Sequence, residues 1–396
     1  MIVRKIREEE YLRTREVFAI AFEQKLDPSG VTPQALTQVK EHPQYRSEVY
    51  WQDCWAAFTK EGKMMSFLRG APATVRFDGQ EALCTCIGAV SSLPQYRGRG
   101  AIAGCFRKHL EDSFGAGGGV SYLYPFSTKF YRQFGYELCV QTVEWTVDLG
   151  VLPVLLEEHG EAILNEGVSQ YEAMQKVYDK FAQGYNLSFV REDCDWLSRI
   201  GQNPAQQGRY TYVWYNAAKE AKGVLSFEKE RDASGESTMV CDMFYYADAE
   251  GLKGLLQHIR SYRSHYKKVR FTLPVDVALE RLLPEVEGCC RRELRFLGMG
   301  RVIHVENALR KARYQGSGQV CFRLNDPYLP ENNGVFQVTF QDGACVDLQR
   351  EGNPEVELDM AQFSRLLLGG SSIGEWAGTP FEKVFYPKKM FLGDFF

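Results

Sequence analysis

Apolar residues along the chain recur at two spacings, and the punctuation between the runs divides it into three blocks. In the first, residues 8–24 carry Tyr11, Val17, Phe18 and Ala21 at helical intervals, whereas 55–58, 64–69 and 73–77 read as short strands of a meander. Residues 83–90 are apolar throughout, as expected of a strand covered on both faces. A polar turn over 91–99 leads to Ile102, Cys105, Phe106 and Leu110, one face of a helix that ends at the glycines of 115–119. Residues 120–124 form a second apolar strand, 128–134 a short helix stopped by Gly135, and 138–149 a long alternating strand.

The second block repeats this order without the glycine-rich turn: a helix over 169–183, strands at 210–216, 223–228 and 239–246, a helix over 249–266 and a strand at 269–273. The third alternates strands (301–305, 319–324, 335–340, 344–348) with helices at 306–313 and 359–368. Its turns are signed by Asp326-Pro327, Asn332-Asn333-Gly334 and Asp342-Gly343. These boundaries predict domains at 1–150, 151–287 and 288–396 with mixed α/β sheets. The last residues, FLGDFF, are too apolar for a frayed end and predict a buried one.

Composition narrows the chemistry. At 396 residues, with 44% hydrophobic, 25% charged and 13% aromatic residues, there is material for two or three domains of roughly 100 to 200 residues. Lys plus Arg (47) against Asp plus Glu (51) leaves a net charge of −4, so no global positive field draws a nucleic acid. The apolar runs fall far short of the roughly 18 residues of a membrane span, and the first residues have no secretory core. A cytoplasmic location is expected. The eleven cysteines include only Cys84-x-Cys86 and Cys289-Cys290 at close spacing, and the six histidines form no HExxH pair. Reduced, mostly buried thiols and no metal site are expected.

The candidate chemistry sits in Gln95-Tyr96-Arg97-Gly98-Arg99-Gly100, between an apolar strand and a helix. Such a turn aims unpaired backbone N–H groups and the positive end of a helix dipole at one point, which suits a pyrophosphate. Gly98 and Gly100 clear the approach, and Arg97 and Arg99 can add charge-assisted contacts. The chain has no GxxxxGK[ST] loop. Gly98-x-Gly100-x-x-Ala103 formally fits a dinucleotide fingerprint, but residues 91–97 separate it from the strand and no acidic residue follows at the expected distance.

The pattern Val90-x-x-x-Pro94-Gln95-Tyr96-Arg97-Gly98-Arg99-Gly100 resembles the acetyl-CoA loop of the GNAT superfamily of N-acetyltransferases. Phe130-Tyr131-Arg132-Gln133-Phe134-Gly135-Tyr136 resembles its second signature. The layout of a GNAT block, a GNAT-like block lacking the loop, a sterol-carrier-like block with Arg301-Val302-Ile303-x-Val305-x-x-Ala308-Leu309, and an aromatic terminus is similar to the Eis (enhanced intracellular survival) family.

The resemblance implies tandem GNAT folds followed by a sterol-carrier-like domain, acetyl-CoA as cosubstrate and no metal. Val90, Ser91 and Ser92 would meet the pantetheine arm. Arg97, Gly98, Arg99, Gly100, Ala101, Ile102 and Ala103 would hold the pyrophosphate, and Phe126 and Ser127 would complete the coenzyme set. Tyr131 would act as general acid and the Phe396 α-carboxylate as general base, with Asp394 open to a cationic substrate. Thiols ionise near about 8.5 and phenols near about 10, so full proton transfer from Tyr131 to a thiolate is uphill by roughly 2 kcal/mol unless the site lowers the phenol.

Relatives take multi-amine antibiotics such as aminoglycosides and assemble as hexamers. The implied partners are therefore a small cationic amine and further copies of the chain, with protein lysine as another acceptor. The competing reading is a lipid- or sterol-binding protein whose GNAT modules serve only as scaffold.

Overall fold

Where apolar runs alternate or continue, strands form, and among the described residues they assemble into a 12-stranded and a 4-stranded sheet. The computed structural model describes residues 1–26, 50–157, 160–197, 199–369 and 375–394. The first block supplies β1 (Ile2–Lys5), β2 (Cys54–Phe58), β3 (Met64–Phe77), β4 (Gln80–Ser92), β5 (Val120–Leu123) and β6 (Glu137–Asp148). Its helices are α1 (Tyr11–Ala21), α2 (Ala101–Gly115) and α3 (Thr128–Arg132). The second supplies α4 (Tyr171–Ala182), α5 (Ala249–Arg260) and strands β7 (Glu161–Leu164), β8 (Arg209–Tyr215), β9 (Ala221–Arg231), β10 (Ser237–Tyr246) and β11 (Lys268–Pro274). After β12 (Cys290–Val302) come α6 (Val305–Lys311), β13 (Gly318–Asn325), β14 (Gly334–Gln341), β15 (Ala344–Gln349), β16 (Val356–Asp359) and α7 (Met360–Leu367).

The large sheet runs β1-β2-β3-β4-β5-β12-β6-β11-β10-β9-β8-β7, and the small one β15-β14-β13-β16. Besides β1, β7 and β16, which the sequence reading does not include, two differences from the strands read in the sequence bear on the site. The runs at 64–69 and 73–77 are one strand, β3. Its Pro72 is tolerated because β2 pairs only as far as Arg69, leaving Pro72 on an edge. And the strand read at 301–305 is β12, which starts at Cys290, ends at Val302 and is inserted between β5 (Val302↔Val120) and β6 (Cys290↔Val147). Its Leu294 and Phe296 are about half exposed, so the apolar-in, polar-out alternation that marks a strand is missing there.

The blocks share their cores. One cluster joins Phe77 of β3, Phe189, Phe322 of β13, Phe363 of α7 and Leu392 of the tail. Residues 187–190 lie along the free edge of β3, with the Arg76 N–H donating to the Ser188 carbonyl at 2.9 Å and the Val190 N–H to the Thr74 carbonyl at 2.9 Å. The tail adds to this seam: the Asn186 N–H donates to the Lys389 carbonyl at 2.8 Å, and Phe391 and Leu392 are buried as the apolar ending predicted.

Candidate active site

Parallel β4 and β5 pair only from Cys84↔Val120 to Ile87↔Leu123. Beyond Ile87, β4 continues along β3 to Ser66↔Ser92 while β5 stops, so the strands part and one backbone edge of β4 faces the gap. At the parting point β4 is bulged: Arg69 faces Gly88 and Phe67 faces Ser91, leaving Leu68 opposite both Ala89 and Val90. Ala89 takes φ +52°, a left-handed conformation unusual for a residue with a Cβ. The Ser91 hydroxyl donates to the Ala89 carbonyl at 3.0 Å, and the Ser92 hydroxyl bonds Ser66 at 2.8 Å. Both serine side chains therefore brace the bulge, and what β4 offers the gap is main chain.

After β4, buried Leu93 starts a 3-10 turn at Pro94–Tyr96, and Gly98 (φ +73°) and Gly100 (φ +74°) bring the chain into α2. A Cβ on either glycine would meet nothing within 4 Å. These glycines are thus required by conformation, and the space over them is open to a bulky anion. Gly100 caps α2 with no side chain, so the first-turn N–H groups of Ala101, Ile102 and Ala103 stand at the positive end of a 15-residue helix. The α2 face that turns inward is Ala101, Cys105, Phe106, His109 and Leu110, with Ile102 only half-buried. Arg97 and Arg99 are exposed beside the turn. Arg97 donates to the Ala21 carbonyl at the end of α1 at 3.0 Å, and Arg99 lies 5.7 Å from the Tyr96 ring. The residues present fit a coenzyme diphosphate.

Tyr131 lies on α3, which Ser127 caps by accepting from the Phe130 N–H at 3.3 Å. It is 2% exposed, ringed by Phe106 (6.1 Å), Phe126 (5.2 Å), Phe130 (5.1 Å) and Tyr136 (6.4 Å). Phe126 itself is 64% exposed at the mouth. Burial pushes the Tyr131 phenol well above its ordinary value, the opposite of the lowering that full proton transfer to a thiolate requires. The side chain stays protonated and can donate a hydrogen bond. Val90, Tyr96, Ala101, Ile102, Ala103, Phe130 and Tyr131 pack in one apolar cluster, which brings both motifs together. On the α1 side, a cavity of 350 Å³ opens on the bulge, lined by Tyr11, Thr14, Phe18, Arg69 and Ala89, and another of 410 Å³ is found elsewhere in the molecule. The 410 Å³ cavity lies away from the bulge, under Arg132 and Lys389, whose charges pair with Glu137 and Asp276.

Two expectations concern the tail. Phe396 lies outside the described residues. Asp394 is not open to substrate: it is 2% exposed and its Oδ1 accepts from Arg191 at 2.9 Å, with Arg199 at 3.4 Å and the Tyr178 hydroxyl 3.3 Å from Oδ2. Arg191 is sandwiched by Tyr178, Trp196 and Tyr245, with its charge 3.9 Å from the Tyr178 ring centre. The Asp394 carbonyl accepts from the Tyr124 hydroxyl at 2.6 Å, just past the end of β5. Sequence reasoning missed Tyr124, Tyr178 and Arg191. They are scattered along the chain, and no local spacing connects them.

An acetyltransferase (GNAT) domain family matches residues 2–139, another acetyltransferase (GNAT) domain family residues 187–302, and a sterol carrier protein domain family residues 305–379. This chain is an acetyltransferase with two GNAT domains and a sterol carrier domain. GNAT domains use acetyl-CoA as acyl donor, and the glycine turn and α2 lie within the first. β12 falls at the end of the second match, yet it completes the sheet of the first GNAT domain between β5 and β6.

Solved structures share the whole architecture. A conserved protein from Enterococcus faecalis is 20% identical with a TM-score of 0.84, covering 100% of this chain and 99% of its own. A GCN5-related N-acetyltransferase from Anabaena variabilis is 19% identical (TM-score 0.83), and Eis1 from Mycobacterium abscessus 18% (TM-score 0.79), each covering 100% of both chains. At these identities the likeness is one of fold. No curated protein matches the sequence. Among the described residues, no group of three or more His, Cys, Asp or Glu is arranged for a metal ion, and no helix is long and apolar enough to cross a membrane.

Proposed function

We propose that this GNAT protein belongs with the Eis family and transfers acetyl from acetyl-CoA to the amine of a small cationic acceptor. The observation that supports the reading is that Val90, where β4 runs on past the end of β5, Ala101 and Ile102, directly after the open glycine turn, and the buried, protonated Tyr131 pack in one apolar cluster. The amine nitrogen attacks the thioester carbonyl, the carbon–sulfur bond breaks, and the thiolate accepts a hydrogen bond from Tyr131 as its charge grows. A backbone N–H near Val90 is the donor proposed for the carbonyl oxygen.

The base proposed for the amine proton is the Phe396 α-carboxylate. The Tyr124 bond to Asp394 supports this by holding the tail at the end of β5. An ammonium is about 7 units more basic than a terminal carboxylate, so the proton leaves through a relay or from an amine whose pKa the cleft lowers. The net charge of −4 favours a cationic acceptor, aminoglycoside-like or another polyamine. The second domain has no glycine turn and is proposed to shape the cleft and hold the tail. The reading extends to a cytoplasmic homo-oligomer.

The competing lipid-carrier reading is disfavoured by the sterol carrier domain, whose interior is filled by Phe322, Phe336, Phe363 and Phe381. A thiol-release assay over an amine panel, with and without a tag after Phe396, tests the proposal together with Tyr131→Phe. That variant is expected to lose about tenfold or more in kcat while still binding acetyl-CoA. Turnover equal to wild type removes Tyr131 from the mechanism; a wild type that binds no acetyl-CoA in isothermal titration returns the lipid-carrier reading.

A further inference from the structure

Arg301 pairs with Ser121 of β5, one residue past the last pairing of β12 with β6, and its side chain is fully buried. A guanidinium in an apolar interior is costly unless its donors are used and its charge is paired. One amino group donates to the Phe134 carbonyl, in the turn that follows α3. The other donates to Asp326 of the sterol carrier domain at 2.6 Å. Asp326 is equally buried and accepts from the Tyr328 N–H (3.0 Å), the Leu329 N–H (3.2 Å) and the Asn332 amide (3.0 Å), so its loop is fixed as well.

The turn held by Arg301 directly follows the helix that carries Tyr131. The Phe134 N–H donates to the Tyr131 carbonyl at 3.0 Å. Gly135 follows at φ +82°, where a Cβ would overlap the Arg301 guanidinium and Met360 of α7. The Asp326 loop also reaches α2. Tyr328 meets Phe134 edge-on at 5.2 Å, Arg107 lies over Tyr328 at 4.9 Å and donates to the Pro327 carbonyl at 3.2 Å, and Leu329 packs on Leu110. One loop of the sterol carrier domain therefore bears on both helices that flank the coenzyme cleft. Filling this space alone needs no charge, since apolar replacements of buried ion pairs are often neutral or stabilising. What the guanidinium adds is a rigid fork with a fixed span between the Phe134 carbonyl and Asp326.

We propose that Arg301, held by Asp326, is a positioning residue for Tyr131, through which the sterol carrier domain sets the phenol against the thioester sulfur. This rests on the reading of Tyr131 as hydrogen-bond donor. Arg301→Lys keeps a cation for Asp326 but cannot span both partners. Arg301→Met combined with Asp326→Asn removes both charges and is read in its place if the lysine variant does not fold. Each is measured for kcat, acetyl-CoA KM and melting temperature, alone and with Tyr131→Phe. Expected is a kcat loss of about tenfold or more at an acetyl-CoA KM within about twofold of wild type, and no further loss when Tyr131 is already phenylalanine.

A folded variant with wild-type kcat, or a loss that multiplies that of Tyr131→Phe, overturns the proposal while the role of Tyr131 stands. A Tyr131→Phe enzyme with normal turnover overturns both.

Discussion

Gly100 and Gly117 stand at opposite ends of α2 with nearly the same geometry. Their φ values are +74° and +77°, both are exposed, and a Cβ on either meets nothing within 4 Å. Alanine at either position should therefore cost the fold the same amount, about 1–2 kcal/mol for a left-handed residue with a Cβ. That corresponds to a fall of about 2–8 °C in melting temperature for a domain of this size. The two sites differ only in what approaches them. Gly100 precedes the uncapped first turn of α2, where the diphosphate is expected, whereas Gly117 follows the helix end. A methyl group that displaces the diphosphate from one charge-assisted hydrogen bond should weaken binding by about 1.5–3 kcal/mol, or about 10- to 150-fold in Kd. Isothermal titration with coenzyme A and calorimetric melting on the same samples separate the two effects. Equal melting losses with Kd raised only in Gly100→Ala are expected; equal Kd values in the two variants would refute the assignment of this turn as the coenzyme's diphosphate site.

Removal of the tail anchor should be felt in stability. Asp394→Ala leaves the Arg191 side chain, 1% exposed, without its carboxylate, at a cost of about 3–5 kcal/mol. Denaturant unfolding that shows less than about 1 kcal/mol would mean the pair is not the anchor. Acid sensitivity should trace in part to His109, which is buried, bonds Thr85 at 3.0 Å and is held down to about 4 by burial, against about 6.5 in the unfolded chain. Between those values the unfolded chain binds the extra proton. Stability from this group is therefore complete above about pH 6.5 and lost as pH falls toward 4, about 2 kcal/mol of it between pH 7 and 5. His109→Gln should flatten that part of the stability profile, and an unchanged slope would exclude His109 as the cause.

How much of this is legible in the sequence depends on distance along the chain. The glycine turn, its strand and its helix are consecutive, and so is the short helix that carries Tyr131. Periodicity and conformational preference act over a few residues, so these parts could be read from the chain, and their resemblance to GNAT motifs led to the acetyltransferase. In sequence the 64–69 and 73–77 runs read as two strands, and Pro72 between them is a common break. Only the absence of β2 alongside shows why it is not one.

The amino-acid order by itself determined the local shape of the glycine turn, the order of the three domains and the apolar character of the last residues. The tertiary structure alone decided that β12 returns to the sheet of the first domain, that Asp394 meets Arg191, and that Arg301 links Asp326 to the turn after Tyr131. The physical reason is that burial and pairing arise between residues far apart in the chain. A buried charge needs a partner, a buried phenol keeps its proton, and neither constraint leaves a mark on neighbouring positions.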